Sequence, residues 1–324
     1  MSEINCTILD DYQLAAKKYG DWSQLEKRIK LRVHHDHYDS VDELVKLLKD
    51  EQIIVIMRER TPFREELLVR LPKLKLLVTT GMRNASVDLV AAERLGIAVC
   101  GTRGTSEAPI ELTWALILGL AKQIRHENEA LRGGGSWQST VGSDLNGRTL
   151  GLLGLGKIGS RVAEIGRVFG MRVMAWSQNL TPEKAADGGV ELASSKEALL
   201  EQSDYVSVHL VLSERTRGLL GRAELQRMKS SAYLINTSRA GIIDQKALID
   251  HLQQERIAGA GLDVFDTEPL PADHPYRTLP NVLATPHIGY VTDSNYKLYF
   301  ADAVEDIAAW LDGKPIRPVQ PYKQ

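Results

Sequence analysis

Short apolar runs alternate with stretches whose apolar residues recur at helical spacing, and this alternation holds through most of the chain. Up to Gly101 the runs Thr7 to Leu9, Leu31 to Val33, Ile53 to Met57, Leu76 to Thr79 and Ala98 to Val99 predict strands. Segments such as Val41 to Lys49 and Val87 to Arg94 predict helices between them. Strands alternating with helices predict a parallel sheet covered on both faces. A single long helix is predicted over Ser106 to Arg132, ended by Gly133-Gly134-Gly135-Ser136, because three glycines hold no helix.

A second series begins at Gly147. Its strand candidates are Thr149 to Leu153, Arg172 to Trp176, Tyr205 to His209, Ala232 to Asn236, Ala258 to Leu262 and Val282 to Ala284. Six strands with crossover helices fit a Rossmann-like sheet. One more amphipathic helix, Ser294 to Leu311, precedes a Pro-rich tail and is predicted to return to the first domain. The expected fold is α/β, with two Rossmann-like or flavodoxin-like domains of parallel sheet. The second domain, 106–291, is inserted in the first, 1–105 and 292–324.

Composition narrows the function. A chain of 324 residues is long enough for two domains, each with its own core. A formal net charge of -2 predicts no general attraction to nucleic acid or anionic membrane. No apolar run reaches the roughly 18 residues of a membrane span. The polar, mixed stretch Met1 to Asp11 does not resemble a signal peptide. Cys6 and Cys100 are far apart and read as small core residues of a protein in the reducing cytoplasm. His34, His35 and His37, with Asp36 and Asp39, lack a regular ligand spacing. They read as a solvated loop, and no metal is expected.

The strand Thr149 to Leu153 runs directly into Gly154-Leu155-Gly156-Lys157-Ile158-Gly159, and Val162 to Phe169 reads as a helix. Gly154 permits a tight turn, Gly156 lets the backbone approach a pyrophosphate, and Gly159 allows close helix–strand contact. The helix N-terminus offers N–H groups to phosphate. A dinucleotide is therefore expected, held by Gly154, Gly156, Lys157, Ile158 and Gly159. At the end of the next strand, Ser177-Gln178-Asn179 stands where an NAD site usually has Asp or Glu. No Arg accompanies it, so NAD and NADP both stay open. The missing carboxylate leans the choice to NADP, with Ser177 among the binding residues.

Three chemically suited side chains follow strand ends. Arg239 lies in Asn236-Thr237-Ser238-Arg239, where a guanidinium can grip a carboxylate with two bonds. Glu268 closes Asp263-Val264-Phe265-Asp266-Thr267-Glu268, and His287 stands in Thr285-Pro286-His287-Ile288-Gly289. Each alone has an ordinary reading, as a surface Arg, a loop acid and a core His. Three at strand ends of one sheet suit hydride transfer to a keto acid, which needs a carboxylate anchor, a proton donor and a partner for that donor.

With these motifs and the Ser207-Val208-His209-Leu210 strand end, the chain resembles the D-isomer-specific 2-hydroxyacid dehydrogenase family, which includes phosphoglycerate dehydrogenases and glyoxylate/hydroxypyruvate reductases. The resemblance covers nearly the whole chain. It implies that Arg239 binds the substrate carboxylate, that His287 is the acid/base and that Glu268 hydrogen-bonds it. As an anion, Glu268 would favour the protonated imidazole. The resemblance also implies an inserted cofactor domain, with 1–105 and 292–324 as substrate domain, a small 2-keto or 2-hydroxy acid as substrate, and a homodimer. Asp263, His209, Thr237 and Gly289 are expected near the cofactor. Domain closure is expected, because both domains must meet one substrate.

The chain departs from the family's pattern in places. The substrate loop, usually Gly-x-Gly-x-Asp-Asn, here reads Gly81-Met82-Arg83-Asn84-Ala85-Ser86, so Arg83 replaces the second glycine. Gly81, Met82 and Arg83 are expected at the substrate. Arg83 either contacts a second anionic or polar group on it or points to solvent. Arg103 and Val211 replace prolines, and Ala240 replaces a glycine. His209 reads equally as a structural strand-end residue. A dinucleotide-binding corepressor-like scaffold of the same fold is the alternative to an enzyme, and a formate- or phosphite-type dehydrogenase is a third reading.

Overall fold

A computed structural model describes residues 4–321. The chain divides into two compact units, Met1–Thr105 with Val291–Gln324, and Ser106–Tyr290.

The first unit is built on β1 (Ile4–Ile8), β2 (Ile29–Val33), β3 (Ile53–Ile56), β4 (Leu76–Thr79) and β5 (Ala98–Gly101). All pair in parallel, in the order β2-β1-β3-β4-β5. This is the flavodoxin-like winding, whose ligand crevice lies beyond the carboxyl ends of the strands. Every residue of β3 and β4 is buried, as expected of central strands covered on both faces. The late helix Asp293–Leu311 belongs to this unit and packs on β4 and β5. It buries Tyr296, Tyr299, Phe300, Ala303, Val304 and Ile307.

The same helix also buries Asp302 and Asp306 completely. Arg103 donates to Asp302 from its backbone N–H (2.7 Å), Nε (3.0 Å) and Nη2 (2.6 Å). A proline at 103 would supply none of these, so this departure from the family's pattern anchors the returning helix. Arg317 in the tail donates from Nε to Asp306 Oδ1 (3.0 Å) and from Nη1 to Glu305 (2.9 Å). The tail then lies along the free edge of β5, through Gly101 N–H to Arg317 O (3.0 Å) and Val319 N–H to Val99 O (2.9 Å). An otherwise open sheet edge is thereby covered.

Among the early histidines, His35 is exposed as a solvated loop would have it, whereas His37 is not. His37 Nδ1 lies 3.2 Å from buried Asp10 Oδ1 and Nε2 lies 3.3 Å from Asp39, and the His37 side chain is only 14% exposed. The hydrogen bond to Asp10 raises its pKa. Asp10, distant in sequence, was the partner that residue spacing could not reveal. No group of three or more His, Cys, Asp or Glu among the described residues is placed to hold a metal. No helix among them is long and apolar enough to cross a membrane.

The second unit carries β6 (Thr149–Leu153), β7 (Arg172–Trp176), β8 (Glu191–Leu192), β9 (Tyr205–Val208), β10 (Tyr233–Asn236), β11 (Gly259–Leu262) and β12 (Val282–Ala284). They form one parallel sheet in the order β12-β11-β10-β9-β6-β7-β8. The edge strand β8 adds a seventh to the six expected. It has two exposed residues, too few to show a hydrophobic pattern.

The expected long helix is two helices, Glu107–Ala121 and Ile124–Arg132. Gln123 between them adopts φ 51°, ψ 35°, and its side chain donates to Tyr233 Oη at 3.2 Å. Arg125 Nη1 donates to the Val282 carbonyl at 2.8 Å. The first helix is buried along Ile110, Trp114, Ile117 and Ala121, whereas the second buries nothing. Ile124 and Leu131 continue the apolar spacing across the break but face solvent, which is why periodicity alone merged the two.

Burial outweighs the Arg317 charge at Asp306 and lifts its carboxyl from 3.8 to about 7. The folded state then holds a proton that the unfolded chain releases between those values, so this group's stabilisation falls as pH rises from 3.8 to about 7. Asp306→Asn keeps the acceptor for Arg317 and cannot ionise. The gain in Tm over wild type should therefore be larger at about pH 8 than at about pH 5. An equal difference at both pH values in thermal melts would show that Asp306 does not titrate in this range.

Candidate active site

Register puts the candidate residues in one line. Trp176, Leu153, Val208, Asn236, Leu262 and Ala284 pair in a single row across β7, β6, β9, β10, β11 and β12. The next residue on each strand is Ser177, Gly154, His209, Thr237, Asp263 or Thr285. Parallel pairing thus delivers side chains from distant segments to one edge of the sheet. The winding reverses between β6 and β9, the place where an open α/β sheet forms its binding crevice.

The three glycines of the turn have separate physical reasons. Gly154 has φ 102°, and a Cβ there would lie 2.7 Å from the His209 carbonyl oxygen. A Cβ on Gly159 would collide with the Gly154 carbonyl oxygen, so the helix Lys157–Val168 can approach the turn only with glycine there. A Cβ on Gly156 would meet nothing within 4 Å. That open space lies at the N-cap of the helix, which has no side-chain cap. Lys157 and Ile158 begin its first turn. An uncapped helix N-terminus with open space before it fits a dinucleotide pyrophosphate. His209, beside this turn, shares a 2.9 Å hydrogen bond between Nε2 and Ser207 Oγ. Burial lowers its pKa to about 4, so the imidazole is neutral at pH 7. Ser177 is half-buried, while Gln178 and Asn179 are exposed.

At the far side of the row, His287 Nδ1 lies 2.6 Å from Glu268 Oε2. Glu268 Oε1 accepts the Phe265 N–H at 2.9 Å. His287 has φ 51°, an unusual backbone state for a non-glycine residue. Asp263 brackets it: Oδ1 accepts from Thr285 Oγ1 (2.6 Å) and the Ile288 N–H (2.8 Å), and Oδ2 accepts the Gly289 N–H (2.8 Å). Burial pushes the Asp263 carboxyl up, while these bonds favour its ionised form. Gly289 has no room for a side chain, since a Cβ there would sit 2.9 Å from Asp263 Oδ2. Asp263 and Gly289, expected at the cofactor, are thus both engaged in shaping the His287 loop.

Arg239 is half-buried just after β10, with Nη1 donating to the Ser238 carbonyl at 2.8 Å. Its own carbonyl accepts from Asn236 Nδ2 at 3.0 Å. Thr237 Oγ1 lies 2.7 Å from Thr113 Oγ1 on the helix Glu107–Ala121.

Residues 114–289 match the family model described as D-isomer specific 2-hydroxyacid dehydrogenase, NAD binding domain. The chain belongs to this family. It is 39% identical over 258 residues to a glyoxylate reductase of Aeropyrum pernix, covering 77% of each chain. It is 34% identical over 276 residues to a D-3-phosphoglycerate dehydrogenase of Methanocaldococcus jannaschii, covering 84% of this chain and about half (52%) of that one. The solved structure of a phosphoglycerate oxidoreductase from Vibrio cholerae O395 superposes with a TM-score of 0.91 at 36% identity, covering 96% of this chain and 99% of that one. The protein is accordingly a nicotinamide-dinucleotide-dependent 2-hydroxyacid dehydrogenase or reductase at the level of the family.

In the first unit, Gly81 has φ 93° and donates its N–H to Thr102 Oγ1 at 2.8 Å. Met82 and Arg83 after it are exposed. Sequence reasoning overlooked Arg58. Its guanidinium lies against Gly81, where a Cβ would collide with it, and its backbone N–H donates to Thr80 Oγ1 at 2.9 Å. The available signal was register: Ile56 pairs with Thr79, so Arg58 and Gly81 stand at the same height beyond neighbouring strands.

Gly156 and Gly159 make a direct check of the turn's geometry. Gly159→Ala should lower Tm by about 5 °C or more, because backbone must move to admit the methyl group. Gly156→Ala should shift it by less than about 2 °C. Equal effects in calorimetry would contradict the close approach at Gly159.

Proposed function

We propose that this dehydrogenase interconverts a 2-keto acid and a D-2-hydroxy acid with His287 as acid/base, Glu268 as its partner and Arg239 as carboxylate anchor. The 2.6 Å contact between His287 Nδ1 and Glu268 Oε2 carries the proposal. With Nδ1 committed, Nε2 is the nitrogen left to exchange a proton with the substrate oxygen. In reduction the protonated imidazole gives that proton to the carbonyl. In oxidation the neutral imidazole takes it from the hydroxyl. Glu268 fixes Nδ1, and its bond to the Phe265 N–H keeps the carboxylate aimed at that nitrogen. Arg239 orients the substrate by its carboxylate and polarises it.

A nicotinamide dinucleotide, when bound, supplies or accepts the hydride. Gly154, Gly156, Lys157, Ile158 and Gly159 would hold its pyrophosphate, with neutral His209 and Thr237 beside it. Ser177, with no carboxylate next to it, would tolerate a 2′-phosphate, which favours NADP without excluding NAD. Residues 1–105 with 292–324 act as the substrate domain. Gly81 and Met82 contribute contacts to the substrate, and exposed Arg83 meets a second anionic or polar group on it. Two buried free thiols accord with a cytoplasmic setting.

A panel of glyoxylate, hydroxypyruvate, pyruvate and phenylpyruvate with NADH and NADPH tests this reading. At least one pair should turn over, with NADPH the better cofactor. His287→Ala should lower kcat by about a thousandfold while changing dinucleotide Kd by less than about threefold. No turnover with any acid, or near-normal turnover in the variant, would overturn the proposal.

A further inference from the structure

The proposed acid/base group has one more neighbour. The Tyr290 ring centroid lies 5.4 Å from that of His287, with the planes at 77° in an edge arrangement. We propose that Tyr290 is a positioning residue whose ring fixes the orientation of the His287 imidazole. The inference rests on the assignment of His287 as acid/base.

The imidazole must hold a proton at Nε2 on a defined line to the substrate oxygen. Its bond to Glu268 fixes the position of Nδ1 but resists rocking about that contact only weakly. The backbone does not close off this motion, because one residue at φ 51° sets where the side chain starts, not the tilt of its ring. Tyr290 packs on the ring itself. Asp263 delivers it there: its bonds to the Ile288 and Gly289 N–H groups turn the chain sharply after His287, so the third residue on folds back against the imidazole. Gly289 makes the turn possible, as a Cβ there would crowd Asp263 Oδ2. A perpendicular aromatic pair has a preferred geometry, which an aliphatic contact lacks. The ring is the part of Tyr290 that meets the imidazole, so phenylalanine keeps this contact.

Misplacing a reacting group by about 1 Å can cost about a hundredfold in rate. Steady-state kinetics, dinucleotide Kd and Tm of Tyr290→Ala, Tyr290→Phe and His287→Ala test the proposal. Tyr290→Ala should lower kcat by about tenfold or more, with substrate KM and dinucleotide Kd within about twofold. Tyr290→Phe should return kcat to within about threefold of wild type. Tyr290→Leu, which keeps apolar bulk without a flat ring, stands in if the alanine variant does not fold, and should also lose kcat. Wild-type kcat in the alanine or leucine variant would overturn the inference, as would a phenylalanine variant as slow as alanine. Wild-type turnover in His287→Ala would instead remove the assignment on which the inference rests, whatever Tyr290 does.

Discussion

The Asp263 carboxylate is the constraint on which the candidate site depends. It stands just beyond β11, buried, and takes three hydrogen bonds from one short segment, Thr285 to Gly289. Those bonds hold the chain on both sides of His287, which therefore keeps a backbone state that a free loop would leave. Glu268 then meets Nδ1, and Tyr290 meets the ring. The same bonds explain Gly289, because the carboxylate occupies the space that a side chain would need. An ionised Asp263 is costly to bury, and its three donors offset that cost.

Behind this clamp lies the sheet. Six strands in parallel register end in one row, so residues far apart in the chain emerge side by side. The dinucleotide turn follows β6, where the winding reverses, and the His287 loop follows the edge strand β12. The first unit repeats the arrangement on a smaller scale, with Arg58 and Gly81 level beyond β3 and β4. Its integrity depends on the returning helix, which three bonds from Arg103 to Asp302 and the Arg317 cluster tie down.

Most of this architecture was legible in the residue pattern, because buried parallel strands are short apolar runs and their helices keep a period of 3.6. The glycine turn was legible for a similar reason: Gly154 and Gly159 answer local steric demands, and Gly156 leaves open space at the helix N-cap. Four features were not. The break at Gln123 was masked by apolar residues that continue the helical spacing but face solvent. The edge strand β8 was too short to show alternation. His37 is tied to Asp10, a contact made only when β1 and the segment after β2 come together. Asp263 could be placed near the site, but not its grip on the His287 loop, since three hydrogen bonds to one carboxylate leave no trace in spacing.

The hold of Asp263 on the segment around His287 is what the geometry of the site depends on. Asp263→Asn tests it most directly. An amide can accept at one atom only, so its NH2 group would face an N–H that the carboxylate now satisfies. On this account kcat falls by about a hundredfold, while dinucleotide Kd measured by fluorescence titration changes by less than about threefold. A tenfold weaker Kd with kcat preserved at saturating dinucleotide would contradict it.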